Sequence, residues 1–229
     1  SNHPWEHDGA FNGCVARGND MYHMVYRALS SPQDQEGVHM RVSTVGHTTS
    51  EDGVTFGNAQ QLIAPTEEWE KYGCEDPRIT YYNGKYYIFY TALSHYPFGP
   101  EGIKTAVGIT RDFKTIEKHP VTTFNAKAMA LFPDKVNGKM AALLTINTDL
   151  PPAKIAIAYF DEEKDIWSAY YWAEWYDNAN QHIIHLLRDM RDQVELGAPP
   201  IKTNDGWLVL YSYIKNYMSN EKTFGIEAV

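Results

Sequence analysis

Four segments of the sequence repeat one plan, and this repeat constrains the fold more than any other feature. Each segment opens with a turn signal and continues as an aromatic or apolar strand, at positions 18–28, 83–92, 137–144 and 205–211. Asn-Gly and Asp-Gly pairs favour β-hairpins, because a type I′ turn needs positive φ at both central residues. A short first strand precedes each segment, at positions 13–17, 78–82, 130–136 and 200–203, and a third strand with an acidic turn follows the first three. Short strands that recur in this way are typical of β-propeller blades.

The repeat predicts an all-β chain with about four blades, approximately residues 5–70, 71–123, 124–190 and 191–229, the last one incomplete. A β-sandwich with long loops is the alternative, but sandwiches show no repeat of this length. Only residues 178–191 have apolar side chains at helical spacing, which predicts either a helix or a long connecting loop.

Composition excludes several classes of protein. The formal net charge of −9 argues against a nucleic-acid partner, and no stretch approaches the roughly 18 apolar residues of a membrane span. We therefore expect a soluble protein, cytoplasmic or periplasmic. Cys14 and Cys74 are too few for a disulfide framework, and His182 and His185 lack a carboxylate at ligand spacing, so no metal is predicted. Aromatic residues make up 14% of the chain, which suits strands and carbohydrate sites.

The run Gly73-Cys74-Glu75-Asp76-Pro77-Arg78 places two acids, a proline and an arginine just before the second hairpin. Pro77 predicts an extended Asp76, so that Asp76 and Arg78 would point to one face of the strand. The cluster is either part of a site or a surface ion pair. The corresponding first residues of the other blades, near positions 8–13, 125–128 and 195–200, are also polar or rich in glycine. This repetition favours a shared site on the propeller axis.

Several motifs along the chain occur together in one known family. They are Phe11-Asn12, Tyr26-Arg27-Ala28, Ser50-Glu51-Asp52-Gly53, Trp69-Glu70, Gly73-Cys74-Glu75-Asp76-Pro77-Arg78-Ile79-Thr80, Leu131-Phe132-Pro133-Asp134 and Pro199-Pro200-Ile201-Lys202-Thr203. In these motifs the chain resembles glycoside hydrolase family 130, five-bladed propellers that cleave β-mannosides by phosphorolysis or hydrolysis with inversion. The resemblance covers nearly the whole chain and implies that the last blade is absent from this sequence.

The resemblance also implies roles for particular residues. Asp76 matches the general acid, which in the family protonates the leaving oxygen through a sugar hydroxyl. Such an acid needs burial or a neighbouring carboxylate, from Glu75 or Asp8, to keep its proton near neutral pH. Asn12 and Arg27 match sugar-binding positions; a strand-end arginine in a surface pair is the alternative for Arg27.

Arg78 and Lys127 match positions that hold phosphate, which is the possible co-substrate; no other cofactor is implied. Arginine suits this anion because its guanidinium can bind two oxygens, and lysine adds a point charge. The alternative for Lys127 is an ordinary solvated lysine. Trp69 and Tyr81 lie near the site in sequence but are better interpreted as core residues.

Two departures from the family pattern concern the acceptor. Residues 144–147 lack an arginine, and residues 211–213 lack a histidine, that phosphorylases of the family carry. The loss of two cations slightly favours hydrolysis over phosphorolysis, and an inverting hydrolase needs a second carboxylate to activate water. Glu195 and Glu174 are the candidates by position.

The predicted partner is a β-mannoside oligosaccharide. Phosphorolysis of β-1,4-mannosyl-glucose or mannooligosaccharides is the alternative reaction. The alternatives of another class are a non-catalytic carbohydrate-binding propeller and a truncated inactive homologue. In a truncated chain, a homo-oligomer would cover the open edge at residues 224–229.

Overall fold

The structure, a computed structural model, describes residues 3–229 and is built mainly from antiparallel strands. The first sheet has the order β1-β2-β5-β6. Its strands are β1 Gly9–Gly18, β2 Met21–Leu29, β5 Ser43–Ser50 and β6 Gly57–Ile63, and the connection from β2 to β5 contains the small hairpin β3 Gln33–Gln35 and β4 Val38–Met40.

Three more sheets follow along the chain. The second contains β7 Gly73–Tyr82, β8 Lys85–Leu93, β9 Ile103–Thr110 and β10 Glu117–Pro120. The third contains β11 Ala126–Leu131, β12 Met140–Ile146 and β13 Lys154–Phe160. The fourth contains β14 Gln193–Leu196, β17 Leu210–Lys215 and β18 Thr223–Ala228, with a separate hairpin of β15 Ile201–Thr203 and β16 Gly206–Leu208.

Three of the four predicted hairpin turns have positive φ at both central residues, whereas in the Asp205-Gly206 turn only Gly206 does, with φ of 136°. Asn83 and Gly84 join β7 to β8 with φ of 48° and 77°, and Asn137 and Gly138 have φ of 51° and 79°. Glycine and asparagine adopt this left-handed region at low cost. The local signal is therefore sufficient to place these turns.

Apolar residues fill the space between each sheet and the next. Val45 and Ile63 of the first sheet pack with Ile88 of the second, and further core clusters join the second sheet to the third and the third to the fourth. The first strands of the sheets lie side by side, β1 against β7, β7 against β11 and β11 against β14. Their hydrogen bonds include Thr80 Oγ1 to the Leu131 carbonyl at 2.9 Å.

Within residues 3–229 the four sheets do not close into a ring. A groove of about 420 Å³ separates β1 from the segment 197–202. No helix in this part of the chain is long and apolar enough to cross a membrane.

Of the two interpretations of residues 178–191, the long loop is the one the structure shows, because these residues are irregular apart from a short 3₁₀ turn. The α-helix, α1, is Ala169–Asp177, which the sequence did not predict. The side chain of Ser168 caps the first turn of α1, and Trp172 and Trp175 are buried against the third sheet, beside its outer strand β13. The predicted first strand of the fourth blade, 200–203, belongs to the separate hairpin, and β14 takes its place. Further 3₁₀ turns are Pro4–Glu6, Glu68–Glu70, Pro100–Gly102, Glu163–Trp167 and Ala179–Gln181.

Candidate active site

The first strands of three sheets carry the same β-bulge. The register of pairing shifts between Phe11 and Cys14 in β1, between Glu75 and Arg78 in β7, and between Lys127 and Ala130 in β11. One residue in each bulge has a left-handed φ: Asn12 at 53°, Asp76 at 49° and Ala128 at 52°. Bulges re-aim side chains near active sites. The repeat in the sequence therefore extends to a repeated backbone irregularity, which the residue pattern did not predict.

The bulge contradicts the predicted backbone at Asp76. Proline disfavours the helical region for the preceding residue, yet Asp76 is left-handed and not extended. Non-glycine residues in this region are held there by surrounding contacts. Here the Asp76 carboxylate accepts a hydrogen bond from Asn12 Nδ2 at 2.6 Å and lies 3.5 Å from Arg27 Nη1.

Arg27 joins the two acids of β7. Its Nη2 pairs with Glu75, and its Nε donates to Ser43 Oγ at 3.0 Å. Ser43 Oγ in turn donates to Glu75 Oε1 at 3.1 Å, and the guanidinium stands 5.2 Å from the centre of the Phe11 ring. Arg27 is therefore part of the cluster, and the surface-pair alternative for it is wrong. No motif or spacing in the sequence indicated Ser43.

The Glu75 carboxyl is mostly enclosed. Burial raises the pKa of Glu75, the Arg27 guanidinium opposes this rise, and the neighbouring Asp76 carboxylate adds to it. Burial disfavours the charged form of a carboxyl, whereas a nearby cation favours it. Glu75 is thus the neighbouring acid of Asp76.

Arg78 ties two sheets together. It donates to the carbonyls of Leu196 at 2.7 Å and Gly197 at 3.1 Å, and to the Asp76 carbonyl at 3.2 Å. These are backbone acceptors, so the predicted alternative of an Arg78–Asp76 carboxylate pair is wrong. A guanidinium has five N–H donors, so two remain for a ligand.

Lys127 lies beside the same group. Its Nζ is 3.2 Å from Asp149 Oδ1, and its charge opposes the rise in pKa that burial causes at both Glu75 and Glu195. The alternative of a solvated lysine without a partner does not hold.

Other candidate residues lie away from this group. The Asp8 carboxylate accepts from Arg41 Nε at 2.7 Å and Ser31 Oγ at 3.2 Å, and its hydrogen bond with His7 is the main cause of its pKa of about 2. Glu174 is exposed on α1. Trp69 and Tyr81 pack against the core between the first and second sheets, as the core interpretation predicts.

A cavity of about 240 Å³ lies between β1, β7 and β14. Its lining includes Asn12, Asp76, Arg78, Glu195 and Ser212. Burial raises the pKa of Glu195, against the opposing charges of Arg78 and Lys127. Two carboxyl groups thus line one polar cavity with a guanidinium between their strands. This arrangement is able to hold a small polyol and to move a proton.

Within residues 3–229, no group of three or more His, Cys, Asp or Glu side chains is arranged to hold a metal ion. Cys74 is buried, which raises the pKa of its thiol and leaves it a packing residue.

Comparison with known proteins identifies the family. The family described as beta-1,4-mannooligosaccharide phosphorylase, glycoside hydrolase family 130, matches residues 2–224. The chain belongs to this family.

Relatives and solved structures agree with this assignment. A 1,2-beta-oligomannan phosphorylase of Thermoanaerobacter sp. (strain X514) is 30% identical over 90% of this chain and 65% of its own length. A beta-1,2-mannobiose phosphorylase of the same organism is 28% identical over 93% of this chain and 68% of its own length. The chain thus spans about two thirds of both relatives.

Among solved structures, the beta-1,2-mannobiose phosphorylase from Listeria innocua in complex with beta-1,2-mannobiose superimposes with a TM-score of 0.70. It is 22% identical, with 96% of this chain and 71% of that chain covered. At this level of identity the similarity establishes the fold.

Proposed function

We propose that this protein cleaves β-mannosides with inversion, using Asp76 as general acid and inorganic phosphate as acceptor. The observation that carries the proposal is the Asp76 carboxylate, which lines the 240 Å³ cavity and is held by Asn12 and Arg27. The reaction needs a carboxyl group fixed in place, because a general acid acts only within hydrogen-bond reach of the hydroxyl or leaving oxygen that takes its proton. Asn12 and Arg27 restrict the Asp76 side chain from two directions.

Phosphate as acceptor is supported by the relatives, which are phosphorylases of β-mannosides. This choice replaces the slight preference for hydrolysis that the two missing cations suggested. Arg78 lines the cavity and retains two N–H donors, and Lys127 on the neighbouring strand β11 supplies a second cation. A β-mannoside oligosaccharide is the proposed substrate.

The proposal extends to the architecture. The four sheets, each packed against the next through its first strand, support an assignment as successive blades of a five-bladed propeller. The observed sheets lie within the predicted blades 5–70, 71–123, 124–190 and 191–229. The axis of that propeller would pass between β1, β7, β11 and β14, where Asp76 and Glu195 face one cavity.

The test is cleavage of β-1,2- and β-1,4-mannobiose with and without inorganic phosphate, with mannose 1-phosphate and mannose measured separately. We expect mannose 1-phosphate, formed only with phosphate. Asp76→Asn keeps the hydrogen-bonding shape but removes the proton, and turnover should fall by roughly 10²–10⁴-fold. Asp205→Asn, in the exposed turn of the β15–β16 hairpin, is the control and should be fully active. A wild-type chain without cleavage of any β-mannoside would contradict the enzyme proposal and leave a carbohydrate-binding role.

Hydrolysis is the second candidate, and Glu195 favours it. Its carboxyl lines the same cavity as Asp76, on a different strand, where a base would activate water. A phosphate dianion beside Glu195 favours the protonated carboxyl, so phosphorolysis should have a KM for phosphate that falls as pH falls. Glu195→Gln separates the two reactions: it abolishes hydrolysis by removing the base, but it leaves phosphorolysis active and less dependent on pH.

A further inference from the structure

Lys127 is restrained at the tip of its side chain by Asp149, in the loop between β12 and β13. Lys127 Nζ and Asp149 Oδ1 are 3.2 Å apart, and the two side chains are only 26% and 27% exposed. Lysine is flexible, and its ammonium is normally a mobile point charge. At this position the ammonium has a fixed carboxylate partner, which the sequence did not indicate.

Asp149 is itself anchored through its other oxygen. Asn125 Nδ2 donates to Asp149 Oδ2 at 2.8 Å, and Thr148 Oγ1 lies 3.0 Å from the same oxygen. The Asp149 backbone N–H donates to Asn125 Oδ1 at 3.0 Å. Asn125 and Thr148 are buried, at 5% and 4% exposure, so the anchor is rigid. One carboxylate oxygen is thus committed to the loop, and the other is left for Lys127.

The restrained ammonium acts on two carboxyls that belong to different sheets. Burial raises the pKa of Glu75 on β7 and of Glu195 on β14, and the Lys127 charge opposes both rises, so the ammonium lies near carboxyl groups of two sheets. Asp149 has the opposite effect on Glu195. The ammonium that Asp149 restrains therefore lies among acidic groups of two different sheets.

We propose that Asp149 is a positioning residue that holds the Lys127 ammonium toward the centre of the site, where Lys127 binds the anionic co-substrate. The binding of phosphate by Lys127 rests on the proposed function. The positioning of the Lys127 ammonium by Asp149 does not depend on that function. Asp149 acts through Lys127 and has no contact with substrate in this proposal.

A double-mutant cycle tests the coupling. Asp149→Asn keeps an oxygen for Asn125 and Thr148 and turns its NH₂ group toward Lys127, so it releases the ammonium while the loop stays anchored. We expect the KM for phosphate to rise about tenfold with a smaller change in kcat, as for the loss of one charge-assisted hydrogen bond. Lys127→Met should raise the same KM at least as much. Because Asp149 acts only through Lys127, the double variant should equal Lys127→Met alone.

Lys139 and Asp161 provide the matched control, since they form an exposed ion pair of 2.9 Å at the far end of β12 and β13. Asp161→Asn should leave both kinetic constants unchanged. If the effects of Asp149→Asn and Lys127→Met multiply in the double variant, the two residues act independently and the proposal is overturned.

A second measurement needs no activity. Brief acetylation with acetic anhydride, followed by mass spectrometry, reports the reactivity of each lysine amine. In Asp149→Asn the rate of labelling at Lys127 should increase several-fold, with Lys139 unchanged. Equal labelling of Lys127 in wild type and variant refutes the positioning role. Increased labelling in a chain whose activity does not depend on phosphate would retain the positioning role and reject phosphate as acceptor.

Discussion

The hydrogen-bonded pair of His23 and buried His47 in the first sheet makes the stability of the fold depend on pH. The rings of His47 and Phe113 stack with their centres 4.0 Å apart, and His47 is only 4% exposed. Gln60 Nε2 donates to the Phe113 carbonyl at 3.2 Å and to His47 Nδ1 at 3.1 Å, which leaves the proton of His47 on Nε2. His47 Nε2 then donates to His23 Nδ1 at 3.1 Å.

This chain of hydrogen bonds requires both imidazoles to be neutral. A second proton on His47 would sit on Nδ1 and face the N–H donor of Gln60, so that two donors would meet. A proton on His23 Nδ1 would face the N–H donor of His47 in the same way. Burial, and next the neighbouring His23, lower the pKa of His47 from 6.5 to about 4. Each pKa unit corresponds to about 1.4 kcal/mol, so the full effect on the free energy of unfolding is about 3 kcal/mol.

The sign follows from proton binding. Between pH 6.5 and 4 the unfolded chain binds a proton at His47 that the folded chain does not, so stability falls as pH falls. The roughly 3 kcal/mol that neutral His47 contributes to the free energy of unfolding is fully present above pH 6.5 and is lost below pH 4. We expect urea unfolding, followed by tryptophan fluorescence at several values of pH, to show this loss in the wild type.

His47→Gln removes the titrating group and should flatten the pH dependence by about 3 kcal/mol across this window. His39→Gln is the control, because His39 is a surface residue whose side chain is 71% exposed. Equal pH dependence in the wild type and His47→Gln would refute the reasoning, whatever the absolute stability of the variant.

Two further substitutions test a buried ion pair and a close contact at a glycine. Lys118→Met leaves the fully buried carboxylate of Glu70 without its ammonium partner, and urea unfolding should show a loss of about 3–5 kcal/mol; a loss below 1 kcal/mol would mean that the Tyr90 hydroxyl suffices for Glu70. Gly46→Ala places a methyl group 2.7 Å from the Tyr26 hydroxyl oxygen and closer to its ring, and we expect a loss of about 1–3 kcal/mol. An unchanged midpoint for Gly46→Ala would show that the Tyr26 ring moves freely.

The hairpins, the family and the acidic motif could be predicted from sequence because each depends on residues close together in the chain. Asn83-Gly84 forms its turn through the backbone preferences of those two residues. The position of the helix could not be predicted, because it depends on burial against another part of the chain. Trp172 and Trp175 are buried by the third sheet, whereas the apolar residues in 178–191 pack there without helical structure.

The surroundings of Asp76 were decided by the tertiary structure. The sequence determined that an aspartate precedes a proline, and local sterics predicted an extended backbone. The bulge and the hydrogen bond from Asn12, 64 residues away, instead hold Asp76 in a left-handed conformation. Likewise, Arg78 bonds to Gly197 across 119 residues, which brings Glu195 into the same cavity. The sequence therefore identified candidate site residues within each strand. It did not show which residues of other strands contact them, because these contacts join different sheets and leave no pattern in the local sequence.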